Sequence, residues 1–314
     1  MEMYYPEGTL YATLENQKAL GDRAFLEKAY QDGKILEAKA LLCDREQNLV
    51  FDLGGIRGEM KREEAALTPN EGEVRSIAVI TRVGKPCAFV ICGFEEREGK
   101  TVALLSRKKA QEKCLAEYLD LLETGDILEA RVTHLEPFGA FCDIGCGIIS
   151  LLSIDCISVS RISHPRDRFS PGDHIFVAVK GRDEVLFGTK GRIALTHREL
   201  LGTWQENADL FSVGQTVVGI VRSVEPYGVF VELTPNLAGL SEHRDDVQPG
   251  DACSVYIKNI IPSRMKVKLV IIEPFRGEKA FIRTKYFIRS GNIRSFCYAP
   301  PECERADKKD ACLF

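Results

Sequence analysis

The sequence has no apolar run that approaches the roughly 20 residues needed to cross a bilayer. Its first residues, MEMYYPEGTLYATLENQ, are acidic and polar, unlike a signal peptide, which joins a basic start to an apolar stretch. The hydrophobic fraction of 45% and the charged fraction of 28% are ordinary for a globular chain. We therefore expect a cytoplasmic protein with no membrane partner, whose 314 residues form two or three compact domains.

Metal-binding cysteine patterns are also missing. None of the 11 cysteines forms a Cys-x-x-Cys pair, and the close pairs Cys142 with Cys146 and Cys87 with Cys92 have no partner of zinc-ligand spacing. Cys142 lies where a strand residue of the core belongs. We predict reduced, mostly buried thiols, with no metal and no cofactor, and a metal site is the alternative.

Catalytic motifs are absent as well. The sequence contains no Walker loop, no HExxH and no carboxylate cluster. Four of the five histidines lie between residues 134 and 197, but no nucleophile, base and orienting group accompany them. The sequence therefore predicts a binding protein rather than an enzyme.

Charge is distributed unevenly along the chain. The net charge is −4, which argues against a protein that binds nucleic acid through overall charge alone. From residue 253 to the end, however, 13 Lys and Arg oppose 6 Asp and Glu. The stretch FRGEKAFIRTKYFIRSGNIRSFCYAPPE interleaves these cations with aromatic residues, and its SGN predicts a turn between two strand-like arms. Such a segment is typical of a hairpin packed on the last β module, of a second basic surface for RNA, or of both.

One motif occurs twice. Residues 136–144 read EPFGAFCDI and residues 225–233, 89 positions later, read EPYGVFVEL. The preceding GDILEAR at residue 125 has a counterpart 92 residues earlier, GKILEAK, and another 89 residues later, GQTV. The sequence thus contains three copies of a unit with short strands and turns, which indicates three small closed or nearly closed β modules.

Helical patterns occur only between these modules. Leu115, Tyr118 and Leu122 form one predicted stripe on a connecting helix. A second stripe consists of Leu201, Trp204, Ala208 and Phe211. The N-terminal TLENQKALGDRAFLEKAYQDG also reads as helical and ends at a glycine. This order of elements does not predict a parallel βαβ sheet.

Strand alternation predicts that the repeated motif is exposed. In the second copy Cys142 and Ile144 point inward, so Asp143 and its same-face neighbour Phe141 should face water. In the third copy Val231 and Leu233 point inward, so the same reasoning places Glu232 and Phe230 outside. A bulge at Gly139 and Gly228 would bring Phe138 and Tyr227 onto the same face.

Cations on the last strand of each copy belong to the same exposed surface. Ile193 and Leu195 alternate inward and leave Arg192 outside, and the inward Val267 and Leu269 leave three cations outside: Arg264, Lys266 and Lys268. Aromatic rings beside cations form a stacking platform for unpaired bases. The alternative is that the rings pack on the connecting helices. The first copy has Gln47–Val50 at this place and lacks the platform, which predicts a scaffold or a protein-docking role for it.

These residues together resemble the S1 RNA-binding repeat. The resemblance rests on FGAF, a following G-x-G, the late RIALT strand and the helices between modules. The stretches LTHRELLGTWQENADLF and SVEPYGVFVELTPNLAGLSE are similar to ribosomal protein S1 homologues of Gram-positive anaerobes. The resemblance implies a mainly β fold of three tandem five-stranded OB-type barrels joined by short α-helices.

The resemblance also implies roles for single residues. The two stacking aromatics of the family correspond to Phe138 and Phe141 in one copy and to Tyr227 and Phe230 in the next. Its late-strand arginine corresponds to Arg192, with Lys266 in the third copy. Its strand-three histidine corresponds to Ser150 and Glu242, which are departures. His164 and His243 lie nearby in sequence as candidate replacements.

We expect seven segments. They are an N-terminal helical segment (1–32), a degenerate S1-like barrel (33–107), a linker helix (108–124), an S1 barrel (125–198), a second linker helix (199–213), a third barrel (214–272) and a basic extension with its tail (273–314).

The expected function is to hold single-stranded mRNA as part of the translation machinery. Single-stranded RNA and the small ribosomal subunit are the expected partners, with a protein partner through residues 1–122. The alternatives are an RNA-binding regulator or RNA-decay accessory that does not reside on the ribosome, and a protein-tethering scaffold.

Overall fold

The computed structural model describes residues 4–68, 73–182, 191–275, 282 and 284–304. The chain forms two compact units. The first comprises residues 1–122, 129–131 and 142–150, and the second comprises residues 123–128, 132–141 and 151–314. None of the helices in the described residues is long and apolar enough to span a membrane.

The strands form three closed five-stranded barrels, which confirms the predicted fold class. The strands are β1 (Leu36–Cys43), β2 (Leu49–Asp52), β3 (Arg57–Met60), β4 (Pro86–Arg97), β5 (Lys100–Ser106), β6 (Ile127–Glu136), β7 (Gly139–Asp143), β8 (Ile149–Ser153), β9 (His174–Arg182), β10 (Ile193–Thr196), β11 (Thr216–Glu225), β12 (Gly228–Thr234), β13 (Leu237–Ser241), β14 (Ala252–Ile261) and β15 (Lys266–Phe275).

All three barrels have the same strand order: first, second, third, fifth, fourth. The third and fifth strands of each barrel run parallel. Alternate side chains fill each interior, as the period of two requires. The inward residues expected from the sequence are all buried: Cys142, Ile144, Ile193, Leu195, Val231, Leu233, Val267 and Leu269.

Five α-helices lie outside the barrel walls: α1 (Leu14–Leu20), α2 (Arg23–Gln31), α3 (Ser76–Ile80), α4 (Arg107–Glu117) and α5 (Trp204–Ala208). Helix α3 lies inside the first barrel's sequence, between β3 and β4, so the prediction that helices occur only between modules was wrong. Its five residues are too few for helical periodicity to be recognised.

The helix stripes are only partly as expected. Helix α4 buries Ala110, Gln111 and Cys114, whereas Leu115 is half-buried. Tyr118 ends α4, because its backbone angles leave the helical range, and a separate 3-10 turn follows. In the second connector, Trp204 and Ala208 are buried as predicted, and a capping box at Thr203 starts the helix there.

The C-terminal segment corrects two expectations. Its described residues, 284–304, contain no strand, so the predicted hairpin arms are not formed there. The segment also packs on the second barrel rather than only on the third, since Ile293 and Phe296 share a buried cluster with Ala178. The basic and aromatic composition of this segment could not show whether it packs on the second barrel or on the third. The part of the extension at 276–281 and 283 lies outside the described residues.

Ten cysteines in the described residues are reduced, and seven of them are buried. Cys142 is fully buried at the strand position predicted for it. Within the same residues, no group of three or more His, Cys, Asp or Glu is placed to hold a metal ion.

Candidate nucleic-acid interface

Two tight hairpins present the repeated motif. Strand β6 ends at Glu136 and β7 begins at Gly139, so only Pro137 and Phe138 form the turn. The third barrel repeats this arrangement, with Tyr227 at the second turn position. A two-residue turn pushes its side chains away from the barrel, which explains why Phe138 and Tyr227 are 55% and 68% exposed.

The glycine after each turn is required by a close backbone approach. A Cβ on Gly139 would lie 2.5 Å from the Leu152 carbonyl oxygen, and a Cβ on Gly228 would lie 2.4 Å from that of Ser241. Neither contact is compatible with a side chain. The expected bulge is not at the glycine in the third barrel. The register shifts on the partner strand instead, between Val221 and Ser223.

Each hairpin brings its two aromatic rings into contact. The centroids of Phe138 and Phe141 lie 6.0 Å apart with the ring planes at 88°, and those of Tyr227 and Phe230 lie 6.2 Å apart at the same angle. Phe141 and Phe230 are half-buried. The four rings therefore form two equivalent edge-to-face pairs, in which the turn residue is the more exposed member.

The acid that follows each inner aromatic is buried, so the prediction that Asp143 faces water was wrong. Asp143 is 3% exposed, because the N-terminal segment covers its side of the strand. Its carboxylate accepts hydrogen bonds from the backbone N–H of Glu7 at 2.8 Å, of Gly145 at 2.9 Å and of Gly147 at 3.0 Å. The alternation of side chains along a strand shows on which side of the sheet a residue lies, but it does not show whether another segment covers that side.

Glu232 corrects the same prediction in the third barrel. It is fully buried, and its Oε2 accepts from Arg168 Nη2 at 2.6 Å and from Arg222 Nε at 2.7 Å. Two guanidinium groups thus compensate the buried carboxylate. Phe230 nevertheless stays on the outer face, because this cover ends before it.

The predicted cations lie on the outer surface. Strand pairing places Phe230 opposite Leu240, and Leu240 opposite Lys268. Adjacent strands are about 4.8 Å apart, so an aromatic ring, a leucine and an ammonium group form one row across the barrel. Arg264 and Lys266 are also exposed, at the start of the same strand.

The second barrel has a related row. Leu151 pairs with Ala194, and the exposed Arg192 lies two residues before Ala194, on the same side of the chain. Leu151 is itself 39% exposed. Both barrels therefore offer rings, a leucine and a cation on one outer face, with the leucine exposed in the second barrel and half-buried in the third.

His134 is a contributor that the sequence reasoning missed. Its imidazole stacks on Phe141, with the centroids 6.3 Å apart and the planes at 26°, and its Nε2 lies 2.6 Å from the Glu136 carboxylate. The signal was available, because His134 and Glu136 alternate outward at the end of β6. The aligned residue of the third barrel is Ser223, so this stacked ring is specific to the second barrel.

His243 lies against the base of the third-barrel hairpin. Its Nδ1 lies 2.8 Å from the Glu225 carbonyl oxygen and its Nε2 lies 2.9 Å from the Asp245 carboxylate. The Asp245 carboxylate and the Glu225 carbonyl raise the pKa of His243 above its usual value. This ring can therefore supply a positive charge beside the aromatic pair.

Two other predicted residues are less available. Ser150 is buried. His164 is half-buried, and its Nδ1 accepts from the backbone N–H of Arg166 at 3.1 Å, so it caps a short 3-10 turn. Neither residue is brought to the aromatic pair by a contact in the described part of the chain.

Comparison with known proteins identifies the second barrel. Residues 121–198 match the family model of the S1 RNA binding domain. Small ribosomal subunit protein bS1 of Leuconostoc lactis is 29% identical over 284 residues, which are 84% of this chain and 62% of that protein. The bS1 homolog of Bacillus subtilis is 28% identical over 70% of this chain and 55% of that protein.

A third relative has a different name. A 4-hydroxy-3-methylbut-2-enyl diphosphate reductase of Clostridium tetani is 32% identical over 60% of this chain, but the match covers only 29% of that protein. The chain spans less than two thirds of each of these three relatives. Residues 121–198 thus match the S1 RNA binding domain, and most of the chain is similar in sequence to small ribosomal subunit protein bS1.

Proposed function

We propose that this protein holds single-stranded RNA on the outer faces of its second and third barrels. The observation that carries the proposal is the repeated aromatic pair, Phe138 with Phe141 and Tyr227 with Phe230, each beside cations of the last strand. Rings stack on bases regardless of their identity, and cations bind phosphates. The affinity has weak sequence preference and falls steeply with salt, because bound phosphates release counterions.

In the second barrel, Phe138 and Phe141 stack on bases, His134 extends the stacked surface, and Arg192 contacts the RNA backbone. In the third barrel the corresponding residues are Tyr227 and Phe230, with Arg264, Lys266, Lys268 and His243 as the cations. Lysine is the weaker stacking partner, because it lacks the planar guanidinium group. The second barrel therefore contributes more affinity than the third.

The proposed setting is translation, in the cytoplasm and on the small ribosomal subunit. The names of the bS1 relatives support this setting, as does the S1 domain itself. The RNA is then mRNA, held without any chemical step, and residues 1–122 bind a protein partner because the first barrel lacks the aromatic pair. Co-sedimentation with small subunits from the cell of origin tests the setting, and a chain found only in the free fraction contradicts it.

The RNA-binding surface is tested by replacing its most exposed rings. We expect Phe138→Ala with Tyr227→Ala to leave the melting temperature nearly unchanged, since little of either ring leaves water on folding. The affinity for a labelled oligouridine should fall by at least tenfold, because each stacked base contributes about 1–3 kcal/mol. Fluorescence anisotropy measures this affinity.

Phe25→Ala is the matched control. Phe25 is 52% exposed on α2 and belongs to neither hairpin, so its removal should change neither stability nor RNA affinity. Unchanged RNA binding by the double variant, with its melting temperature preserved, would show that the rings do not form the RNA site.

A further inference from the structure

One outer face of the second barrel is covered by the chain's own C-terminal segment. The backbone N–H of Ile127 donates to the Gly291 carbonyl at 3.0 Å, and that of Ile293 donates to the Gly125 carbonyl at 2.8 Å. The Asn292 side chain donates to the Asp126 carboxylate at 2.7 Å. The segment therefore forms an isolated antiparallel β-bridge between Asn292 and Asp126, immediately before β6.

Apolar side chains complete this contact. Ile293 and Phe296 are nearly buried against Ala178, and Phe176 and Tyr286 meet edge to face with centroids 5.3 Å apart. An open backbone edge and an apolar sheet face thus take up one extended segment, with main-chain bonds at the edge and side chains on the face.

The third barrel repeats the backbone geometry of this edge. Gly125 N–H donates to the Val179 carbonyl at 2.8 Å and Val179 N–H donates to that of Asp126 at 2.9 Å. In the third barrel, the Gly214 N–H donates to the Ile257 carbonyl at 2.9 Å, and the Ile257 N–H donates to the Gln215 carbonyl at 2.8 Å. Gly214 and Thr216 are therefore the counterparts of Gly125 and Ile127.

Within the described residues, the Thr216 N–H and the Gly214 carbonyl have no backbone partner of the kind that Ile127 and Gly125 have. The Gln215 carbonyl and the Val221 N–H make backbone hydrogen bonds on the β14 side of β11. Backbone groups of successive residues in a strand point to alternate sides, so the Thr216 N–H points away from β14. The pairing of β11 with β12 begins only at Ile220. Among the described residues, no backbone hydrogen bond is made by Thr216 N–H in this direction or by the Gly214 carbonyl.

The adjoining face of the third barrel is apolar and exposed. Thr216 pairs with Tyr256, and Tyr256 pairs with Val270. In the next row Val218 pairs with Ser254 and Ser254 pairs with Glu273, while Ile272 lies beside them at a shift in the register. Val218 is 54% exposed and Ile272 is 53% exposed, and Tyr256 and Val270 also face solvent. The uncharged polar members of this face are Thr216 and Ser254, and the exposed Glu273 adds one negative charge beside Ile272.

We propose that this face and the Gly214–Thr216 edge together dock an extended segment of a partner protein, with apolar side chains at alternate positions. The segment pairs with Gly214 and Thr216 as residues 291–293 pair with Gly125 and Ile127. Its side chains cover Val218, Tyr256, Val270 and Ile272. A peptide fits this part of the face better than a nucleic acid does, because the four apolar residues offer no cation to phosphates, Glu273 beside them repels phosphates, and the edge pairs with peptide groups. The cation of the same strand, Lys268, lies two residues before Val270, where the proposed RNA surface begins.

The experiment uses the full chain and a displayed library of random twelve-residue peptides. The peptide that is enriched most is synthesised, labelled and titrated by fluorescence anisotropy. Val218→Glu with Ile272→Glu places two charges on the face at exposed positions, and we expect it to weaken peptide binding at least about tenfold. Thr216→Pro removes the edge donor and should weaken binding by about the same factor.

The matched control is Ile77→Glu with Ile80→Glu on α3, whose residues are 65% and 51% exposed. It should leave peptide binding unchanged, and none of the three variants should alter the melting temperature or the oligouridine affinity by much. If Thr216→Pro fails to fold, the double glutamate variant decides alone.

Four results would overturn the proposal. The first is that the library yields no peptide above the background measured without protein. The second is that the peptide binds the double glutamate variant as tightly as it binds the unaltered chain. Oligouridine displaces the peptide, which would make the face an RNA surface. The unaltered chain sediments as a dimer that the double glutamate variant dissociates, which would make the occupant a second copy of this chain.

Discussion

Asp143 and Glu232 occupy the same strand position in two barrels, and each carboxylate is buried among different donors. Backbone N–H groups surround Asp143, whereas Arg168 and Arg222 surround Glu232. The residue pattern was sufficient to place both acids on the outer side of the strand. It could not reveal the covering segments, because Glu7 and Arg168 are 136 and 64 positions away in sequence.

Removing the charge of Glu232 should destabilise the protein strongly. Glu232→Gln leaves the buried guanidinium of Arg168 without its counter-charge, and breaking a buried pair in this way costs about 3–5 kcal/mol. Urea unfolding followed by circular dichroism measures the change in the free energy of unfolding.

Glu95→Gln is its control, because Glu95 pairs with Arg97 where both side chains are nearly half exposed. An exposed pair contributes about 0–1 kcal/mol. Equal small effects of the two substitutions would mean that Arg168 is compensated by other groups.

His197 makes the stability of the second unit depend on pH. Its Nδ1 lies 2.7 Å from the Ile157 carbonyl and therefore carries the proton, and its Nε2 accepts from the Tyr286 hydroxyl at 2.9 Å. Burial lowers the pKa of His197 to about 4. The unfolded chain takes up the proton near pH 6.5, before the folded protein does, so this contribution is complete above that pH and is lost as the pH falls toward 4.

The expected result is a steeper loss of stability on acidification in the unaltered chain than in His197→Gln. The difference between their unfolding free energies should change by up to about 1.4 kcal/mol per pH unit between pH 6 and pH 4. His174→Gln, at an exposed position of β9, should retain the slope of the unaltered chain. Parallel pH curves for the unaltered chain and His197→Gln would contradict this assignment.

At the scale of elements, the two aromatic hairpins depend on glycines that have no room for a side chain. Gly139→Ala and Gly228→Ala should each destabilise the protein by about 1–3 kcal/mol, because the carbonyl that a methyl group would meet belongs to a barrel strand. The melting temperature measures this cost, and RNA affinity should fall with it because the hairpin carries the outer ring.

Gly181→Ala is the control for these hairpins. Gly181 lies in β9. Apart from its two neighbours in the chain, no atom of the described residues lies within 4 Å of the place that an alanine methyl group would take, so alanine should be tolerated there. If Gly139→Ala melted like Gly181→Ala, the neighbouring strand would have moved aside, and the hairpin would be less constrained than its geometry indicates.

The elements of the barrels were predictable because alternation and turn residues act over a few positions. The inward residues of β7, β10, β12 and β15 were all assigned correctly from the period of two. Short elements were not predictable: α3 has five residues, and the stripe of α4 was displaced because small and polar side chains, Ala110, Gln111 and Cys114, form its buried face.

Over the whole molecule, the aromatic pairs occur in two of the three barrels. The place of the outer ring in the first barrel is taken by Gln47, and that of the inner ring by Val50, which is buried. The Asp44 side chain holds this turn by accepting from the backbone N–H of Glu46 and Asn48. This turn therefore offers no ring to a base.

Replacing all four rings in the full chain should remove nearly all specific RNA affinity. In the variant with alanine at 138, 141, 227 and 230, stacking is lost and only phosphate contacts remain. We therefore expect its remaining RNA affinity to be electrostatic and to disappear at high salt. Arg45→Ala, an exposed cation in the turn of the first barrel, should change the affinity less than twofold. Retention of a tenth of the affinity at high salt would locate an RNA site outside the two hairpins.

The placement of the C-terminal segment was the part least accessible to sequence reasoning. Its basic and aromatic residues were recognised, but Tyr286 and Ile293 contact residues 89 and 168 positions earlier. Nothing in a local pattern specifies such partners, because the contact depends on the finished surface of the second barrel. The four candidate aromatic residues were easier to find, since all of them lie within the repeated motif.

The buried acids have a consequence for how this protein can be rearranged. A tandem repeat suggests parts that could be exchanged, deleted or duplicated without harm. Here Asp143 of the second barrel needs backbone N–H donors, whereas Glu232 at the same strand position of the third barrel needs two guanidinium groups. A chimera with these barrels in reversed order would separate Glu232 from Arg168, which the second barrel contributes, and would leave only Arg222 beside this buried carboxylate. The order of the modules is therefore as much a part of the fold as the barrels themselves.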